Sequence, residues 1–406
     1  VIPSDASISG LTVGKGGGAV STNTAVGNSA LISNTTGYES SAFGLQALYN
    51  STTGYGNSAL GTYALYTNAG GYYNTALGRG SLFYNTSGYQ NTSVGANSML
   101  NNTTGQNNVA MGYYALQANT TASNNTAVGY QAAYSNTTGS ITTAIGYQAL
   151  YTNSTGSENT ALGRQAGYST TTGNKNLFVG SQAGYANSTG SYNSFAGGLD
   201  QTNGYGAGYS NTTGSANTAF GSGALAQNTT GGENTAIGYA AAYSNISGSP
   251  IVAIGAFALY SNSGSNNVSV GHASMYSNTS GTDNVAMGVD TLRGNTTGQY
   301  NTAIGKQALR LNTTASNNTA VGYQASYTQT TAVQTVAVGR QALYANQNGS
   351  YNTAIGDSAM SANTTGQLNS SLGLGALGAN TTGSYNTALG AQSLNANTTA
   401  SNNTAV

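Results

Sequence analysis

The sequence has no cysteine, no tryptophan, two prolines (Pro3 and Pro250), one histidine (His272) and charged residues at only 4% of its 406 positions. Without cysteine there is neither a disulfide framework nor a thiolate metal site. One histidine cannot build a His cluster or, beside so few acids, a convincing triad. The formal net charge is zero, which removes the basic footprint of a nucleic-acid or anionic-membrane binder. No apolar run approaches the ~20 residues of a membrane helix, and no signal peptide opens the chain. A typical soluble domain is about one-quarter charged; here Asn, Thr, Ser, Gly and Ala fill that share. Such a chain cannot build a thick core, so it is either disordered or very economically folded.

A repeat decides between these. Glycines recur every 17 residues from Gly27 through Gly44, Gly61 and onward to Gly197, and again from Gly221 to Gly390, with one step of 16 between Gly255 and Gly271. The consensus unit is NTAIGYQALYSNTTGSY, numbered here 1 to 17. Position 5 is Gly and position 3 is almost always Ala or Ser. Position 4 is large and apolar (Leu60, Leu77, Ile145), and so is position 9 (Leu31, Leu65, Leu150). Position 15 is Gly, replaced by Ala at Ala122, Ala315, Ala332 and Ala400. Asn, Thr and paired glycines oppose a helix, whereas short strands between Gly- and Asn-rich corners suit them. A fixed period of this length points to stacked coils in which like residues align.

The expected fold is all-β: a parallel β-solenoid of about 22 coils of 17 residues, forming a rod on the order of 105 Å long at ~4.8 Å per coil. Residues 1–22 read as an irregular entry segment with one short coil, and residues 23–406 as the continuous solenoid. The seven-residue insertion 198–204 is expected to bulge outward. Positions 4 and 9 are expected to be buried. The Ala/Ser at position 3 then faces outward, a smooth surface for lateral association with copies of the same chain. Asn at position 1 is expected to form an amide ladder. Gly at position 5 marks a corner needing positive φ or close backbone approach.

The NTAIGxxA unit resembles the head repeats of YadA-like trimeric autotransporter adhesins. Strings such as NTAVGYQAAYSNTTGS (residues 125–140) resemble the repetitive shafts of bacterial surface proteins and phage tail fibres. The resemblance covers the chain from about Leu11 to Val406, and it implies a left-handed β-roll and three chains around one axis. The present unit is longer than the adhesin head coil and carries an added NTTG loop. The chain stops at Val406 in mid-motif, so either a longer polypeptide or end-to-end joining is expected.

No catalytic, cofactor-binding or metal-binding residue is assigned. Glu39, Glu158, Glu233 and Asp283 share position 17 and read as a solvating stripe. Glu233 and Asp283 lie three coils apart, about 14 Å at strand spacing, beyond the carboxyl separation of roughly 5–9.5 Å in a glycosidase. The stretch Lys15–Gly18 lacks the strand–loop–helix setting of a phosphate loop. Arg293, Lys306 and Arg310 offer an anionic glycan a contact, though beside Asp290 they read first as a solvated face.

Glycosylation sequons are the most frequent chemical signal. Position 12 supplies Asn34, Asn85, Asn102, Asn119, Asn136, Asn153, Asn187, Asn211, Asn228, Asn245, Asn278, Asn295, Asn312, Asn363, Asn380 and Asn397, and Asn50 lies one residue out of phase. Asn-Thr-Thr-Gly is also good turn chemistry, so a glycan column and a plain turn both stand. Either way position 12 is expected at an outward corner. Tyrosines at position 10, such as Tyr134, Tyr151 and Tyr168, form a second column, read first as stabilising and otherwise as a carbohydrate or packing face. The functional expectation is a non-enzymatic, extracellular or surface fibre with no cofactor, whose partners are copies of itself and surface glycans. The alternative is the shaft of a receptor-binding adhesin or phage tail fibre.

Overall fold

In the computed structural model, described over residues 6–8, 11–199 and 204–406, almost every unit contributes one three-residue strand at positions 2 to 4. The chain divides into two compact units, residues 1–199 and 200–406. In the first, strands β3 (Thr24–Val26) to β13 (Ser194–Ala196) form a parallel stack. In the second, β14 (Thr218–Phe220) to β25 (Thr404–Ala405) do the same. Each is a parallel β-solenoid. The expected bulge at 198–204 falls largely outside the described residues.

The register is the sequence period. Thr143, Ala144 and Ile145 pair with Thr160, Ala161 and Leu162, and with Thr126, Ala127 and Val128 on the other side. Hydrogen bonds between coils continue past the strand: Leu150 N donates to Ala166 O at 3.0 Å and Thr152 N to Tyr168 O at 3.1 Å. The NTTG corner is bonded too. Ser154 N, Thr155 N and Gly156 N all donate to Thr171 O, at 3.0, 3.2 and 3.2 Å. Nearly the whole turn therefore exchanges backbone bonds with its copies, which satisfies polar groups that a thin core could not leave unpaired.

The entry segment closes the first stack. Strand β1 (Ala6–Ile8) pairs antiparallel with β2 (Leu11–Gly14), and β2 pairs antiparallel with β3 through Val13 and Val26. This hairpin covers an edge that would otherwise offer free N–H and C=O groups.

The interior corrects one half of the expected burial pattern. Position 9 is buried: Leu31, Leu65 and Leu150 have no exposed surface. Position 4 is not, since Ile145 is 40% exposed and Leu60 52%. The strand turns its alanine inward; Ala42, Ala127 and Ala144 are fully buried. The cause is the width of the coil. Leu at position 9 and two asparagines already occupy the space behind the strand, so only a small side chain fits at position 3. Alternation along the strand then sends position 4 outward.

Position 12 requires a second correction. Asn85, Asn102, Asn136 and their equivalents lie inside the coil, fully buried. Asn102 Nδ2 donates to Asn85 Oδ1 at 2.8 Å and to Gly105 O at 3.0 Å. Position 1 makes the expected ladder: Asn91 N donates to Asn74 Oδ1 at 3.0 Å, and Asn91 Nδ2 reaches the same Gly105 O at 2.9 Å. Two amide ladders thus meet at the carbonyl of position 15. The turn chemistry of Asn-Thr-Thr-Gly operates with its asparagine pointing in.

Backbone strain is shared among recurring positions. Gln131, Leu150 and Glu158, at positions 7, 9 and 17, have φ of 54°, 50° and 58°. Left-handed geometry costs a non-glycine residue about 1 kcal/mol. Burying the leucine contributes roughly 2 kcal/mol, which explains why position 9 tolerates it. Position 5 permits only glycine. Gly61 has φ of 140°, and a Cβ there would come within 2.6 Å of Gly78 O.

Candidate interaction surfaces

The inward asparagines change the meaning of the sequons. Of the position-12 candidates, Asn34, Asn85, Asn102, Asn119, Asn136, Asn153, Asn187, Asn211, Asn228, Asn245, Asn278, Asn295, Asn312, Asn363 and Asn380 are buried. Asn136 shows why a glycan has no room there: its Nδ2 donates to Asn119 Oδ1 at 3.3 Å and to Gly139 O at 2.9 Å. A sugar on that nitrogen would take one of its two hydrogens, so at least one of these bonds is lost, and it would need a path through the coil wall. Asn50 and Asn397 are half-buried instead.

The outward face of the strands is apolar. Phe43, Leu60 and Leu77 line one shallow groove of about 330 Å³ with Ser41, Ser58 and Thr75. Ile355, Leu372 and Leu389 line a similar groove of about 310 Å³ in the second unit. In each unit the side chains of position 4 follow one another coil by coil, flanked at position 2 mostly by Thr or Ser and in some coils by an apolar residue such as Val109, Leu177, Val252, Val268 or Val285. The Ala/Ser side expected to face outward is buried, and the large residues of position 4 form the outward face instead.

Aromatic columns mark other edges. At position 10, Tyr134, Tyr151, Tyr168 and Tyr185 stack with ring centroids 5.1 Å apart and planes within 9°. At position 16, Tyr38, Tyr55, Tyr72 and Tyr89 stack at 4.6–5.0 Å. Packing against neighbouring rings pushes the Tyr168 and Tyr72 hydroxyls above the usual tyrosine value, and repulsion from the adjacent phenols adds to this. The column at position 16 was not singled out in the sequence, because only some coils carry it.

The charged residues are spread out. Arg340 and Asp357 form a bidentate pair at 2.9 and 3.0 Å between adjacent coils. This holds the Asp357 carboxyl below its ordinary range. Lys175 and Glu158 approach to 3.9 Å. His272 is exposed and lies edge-on to Phe257, with ring centroids 6.0 Å apart. Among the described residues no three His, Cys, Asp or Glu side chains come together as a metal site, and no helix is long and apolar enough to cross a membrane. Arg293 and Arg310 occupy position 10 in successive coils of the second unit, where they interrupt the tyrosine column and border a cleft of about 230 Å³.

No protein-family model matches the chain, and no curated protein matches it.

Proposed function

We propose that this chain is a non-enzymatic structural subunit of an extracellular fibre or filament, which supplies length and stiffness and associates laterally with copies of itself. The observation that carries the reading is the coil itself. Backbone bonds, two amide ladders and ring stacks all run between neighbouring coils, so each added unit extends the stack without needing a thicker core. Ten steps of about 4.8 Å carry the first unit's eleven parallel strands over roughly 48 Å.

Lateral association rests on the position-4 stripe. In the second unit eleven side chains, from Phe220 to Leu389, belong to it. At roughly 70 Å² exposed per large apolar side chain, the stripe offers about 800 Å², the contribution of one partner to a stable interface. A second copy has the same spacing and the same absence of charge, so the stripes can match coil for coil. Electron microscopy of the purified chain tests the fibre reading. Straight rods that bundle side by side support it, and compact round particles overturn it.

The second reading is the shaft of a receptor-binding adhesin or tail fibre. It shares the rod and adds a ligand. The arginine break in the tyrosine column favours it.

A further inference from the structure

In the second unit the position-10 column reads Tyr260, Tyr276, Arg293, Arg310, Tyr327, Tyr344. Its tyrosines stack face to face on either side of the break, Tyr260 on Tyr276 at 5.0 Å and Tyr327 on Tyr344 at 5.3 Å. Each arginine caps one open end. The Arg293 guanidinium carbon lies 5.5 Å from the Tyr276 ring centroid, and that of Arg310 lies 5.7 Å from Tyr327. Arg310 Nη1 also donates to the Tyr327 hydroxyl at 2.9 Å. Two like charges are thereby held in adjacent coils, each against a ring.

Their hydrogen-bonding capacity is not used up. The Arg293 side chain is 42% exposed and donates no hydrogen bond, and Arg310 donates only the one to Tyr327; with the Nε atoms of both buried, the terminal nitrogens are the donors left to the cleft. Asp290 Oδ1 comes within 3.4 Å of Arg293 Nε, an ion pair without hydrogen-bond geometry. Two guanidiniums and one carboxylate leave the cluster at +2 − 1 = +1. Between them Gly294 stands at position 11, where most coils carry a side chain, and the resulting cleft is lined by Tyr276, Ser277, Arg293, Gly294, Arg310 and Leu311.

We propose that this cleft binds a carboxylate-bearing sugar of an acidic polysaccharide. An oxyanion placed between the guanidiniums relieves their repulsion and accepts forked hydrogen bonds. The single net positive charge matches a monoanion better than a phosphate dianion. The Ser277 and tyrosine hydroxyls suit sugar hydroxyls, and Leu311 suits the C–H face of a ring. The site is local to four coils and stands whether or not the chain forms bundles.

The test is titration of the full chain with oligogalacturonate, dextran sulfate and neutral dextran. The expected result is binding of oligogalacturonate that weakens with added salt, with no binding of dextran. The double variant Arg293→Tyr/Arg310→Tyr, which completes the tyrosine column and so should fold, is expected to bind at least tenfold more weakly. Lys306→Gln, an exposed cation outside the cleft, is expected to bind like the parent. Unchanged binding by the double variant, equal binding of dextran, or tighter binding of dextran sulfate would each overturn the proposal.

Discussion

The ring of Phe178 occupies the space that leucine fills in other coils, and Gly184 is the residue that makes room for it. Phe178 is fully buried at position 3, where most units carry alanine. Position 9 of the same unit is Gly184, and of the preceding unit Gly167. A methyl group on Gly184 would overlap the Phe178 ring, and one on Gly167 would come within 2.5 Å of it. Volume is conserved between the two walls of the coil.

This exchange can be tested by a double-mutant cycle. Phe178→Ala is expected to destabilise the chain by about 3 kcal/mol through the cavity it leaves. Gly184→Leu alone is expected to destabilise it by about 2 kcal/mol through overlap. Together they restore the consensus pair, and the double variant should lie well above the sum of the single effects. Chemical denaturation measures all four states. Additive losses would mean that the two residues do not share one space.

The position-12 ladder has gaps that account for its unpaired atoms. Ser51 and Thr170 replace asparagine there, and Asn34 Oδ1 and Asn153 Oδ1, one coil earlier, have no donor. Ser51→Asn and Thr170→Asn are expected to stabilise the chain by about 1–2 kcal/mol each, since each supplies a missing bond in a buried site. A lower thermal midpoint in either variant would contradict the ladder.

Position 5 should refuse any side chain. Gly61→Ala would place a Cβ 2.6 Å from Gly78 O and force a φ of 140° on alanine. A loss of about 3 kcal/mol or more is expected from strain and overlap together, read by denaturation of the purified variant. Tolerance of alanine would show that neighbouring coils are not this close.

How much of this was legible in the sequence follows from what the period contains. The 17-residue register, the position-1 ladder, the buried leucine of position 9 and the obligatory glycine of position 5 are visible because one residue type dominates each column. The consensus alone does not show which of positions 3 and 4 faces inward, since both are apolar and alternation has no sign. Gly167 and Gly184 opposite Phe178 did carry that sign, as a large residue at position 3 is matched by a lost leucine at position 9. The inward course of the position-12 asparagines is hidden for a different reason. Turn propensity says where the chain bends, but not which side of the bend the side chain takes. The pairing of Arg293 with Arg310 was visible as a charge cluster, whereas the rings that orient it belong to coils on either side.

The inward asparagines also set an expectation for modification. Peptide mapping of the native protein should find Asn102, Asn136, Asn295 and Asn380 unmodified, with any glycan confined to positions outside the ladder such as the half-buried Asn50. Full occupancy at Asn136 would be incompatible with the two hydrogen bonds its amide donates.

Stability should depend on pH mainly at the alkaline end. Tyr168 and Tyr72 have hydroxyls raised above 10.0 in the fold. The folded chain therefore holds these protons more tightly than the unfolded one. Their contribution is present below the unfolded value of about 10 and is lost as pH rises through the folded values. Asp357, lowered by Arg340, acts in the opposite direction, and its small exposed contribution disappears as pH falls through the folded value. Thermal midpoints are expected to stay level from about pH 5 to 9 and to drop above about 10. A steep acid transition would point to carboxylates that the structure does not contain in the required number.

Lateral assembly through position 4 is tested most directly by sedimentation velocity on the parent chain and on the triple variant Ile237→Lys/Ile304→Lys/Ile355→Lys. These three side chains are 41%, 38% and 37% exposed, so lysine should be tolerated by the coil. The expected result is that the parent sediments as a multimer and the variant as a 40.5 kDa monomer with an unchanged β-sheet spectrum. A parent chain that is monomeric at micromolar concentration, or a variant that assembles as the parent does, would contradict the account.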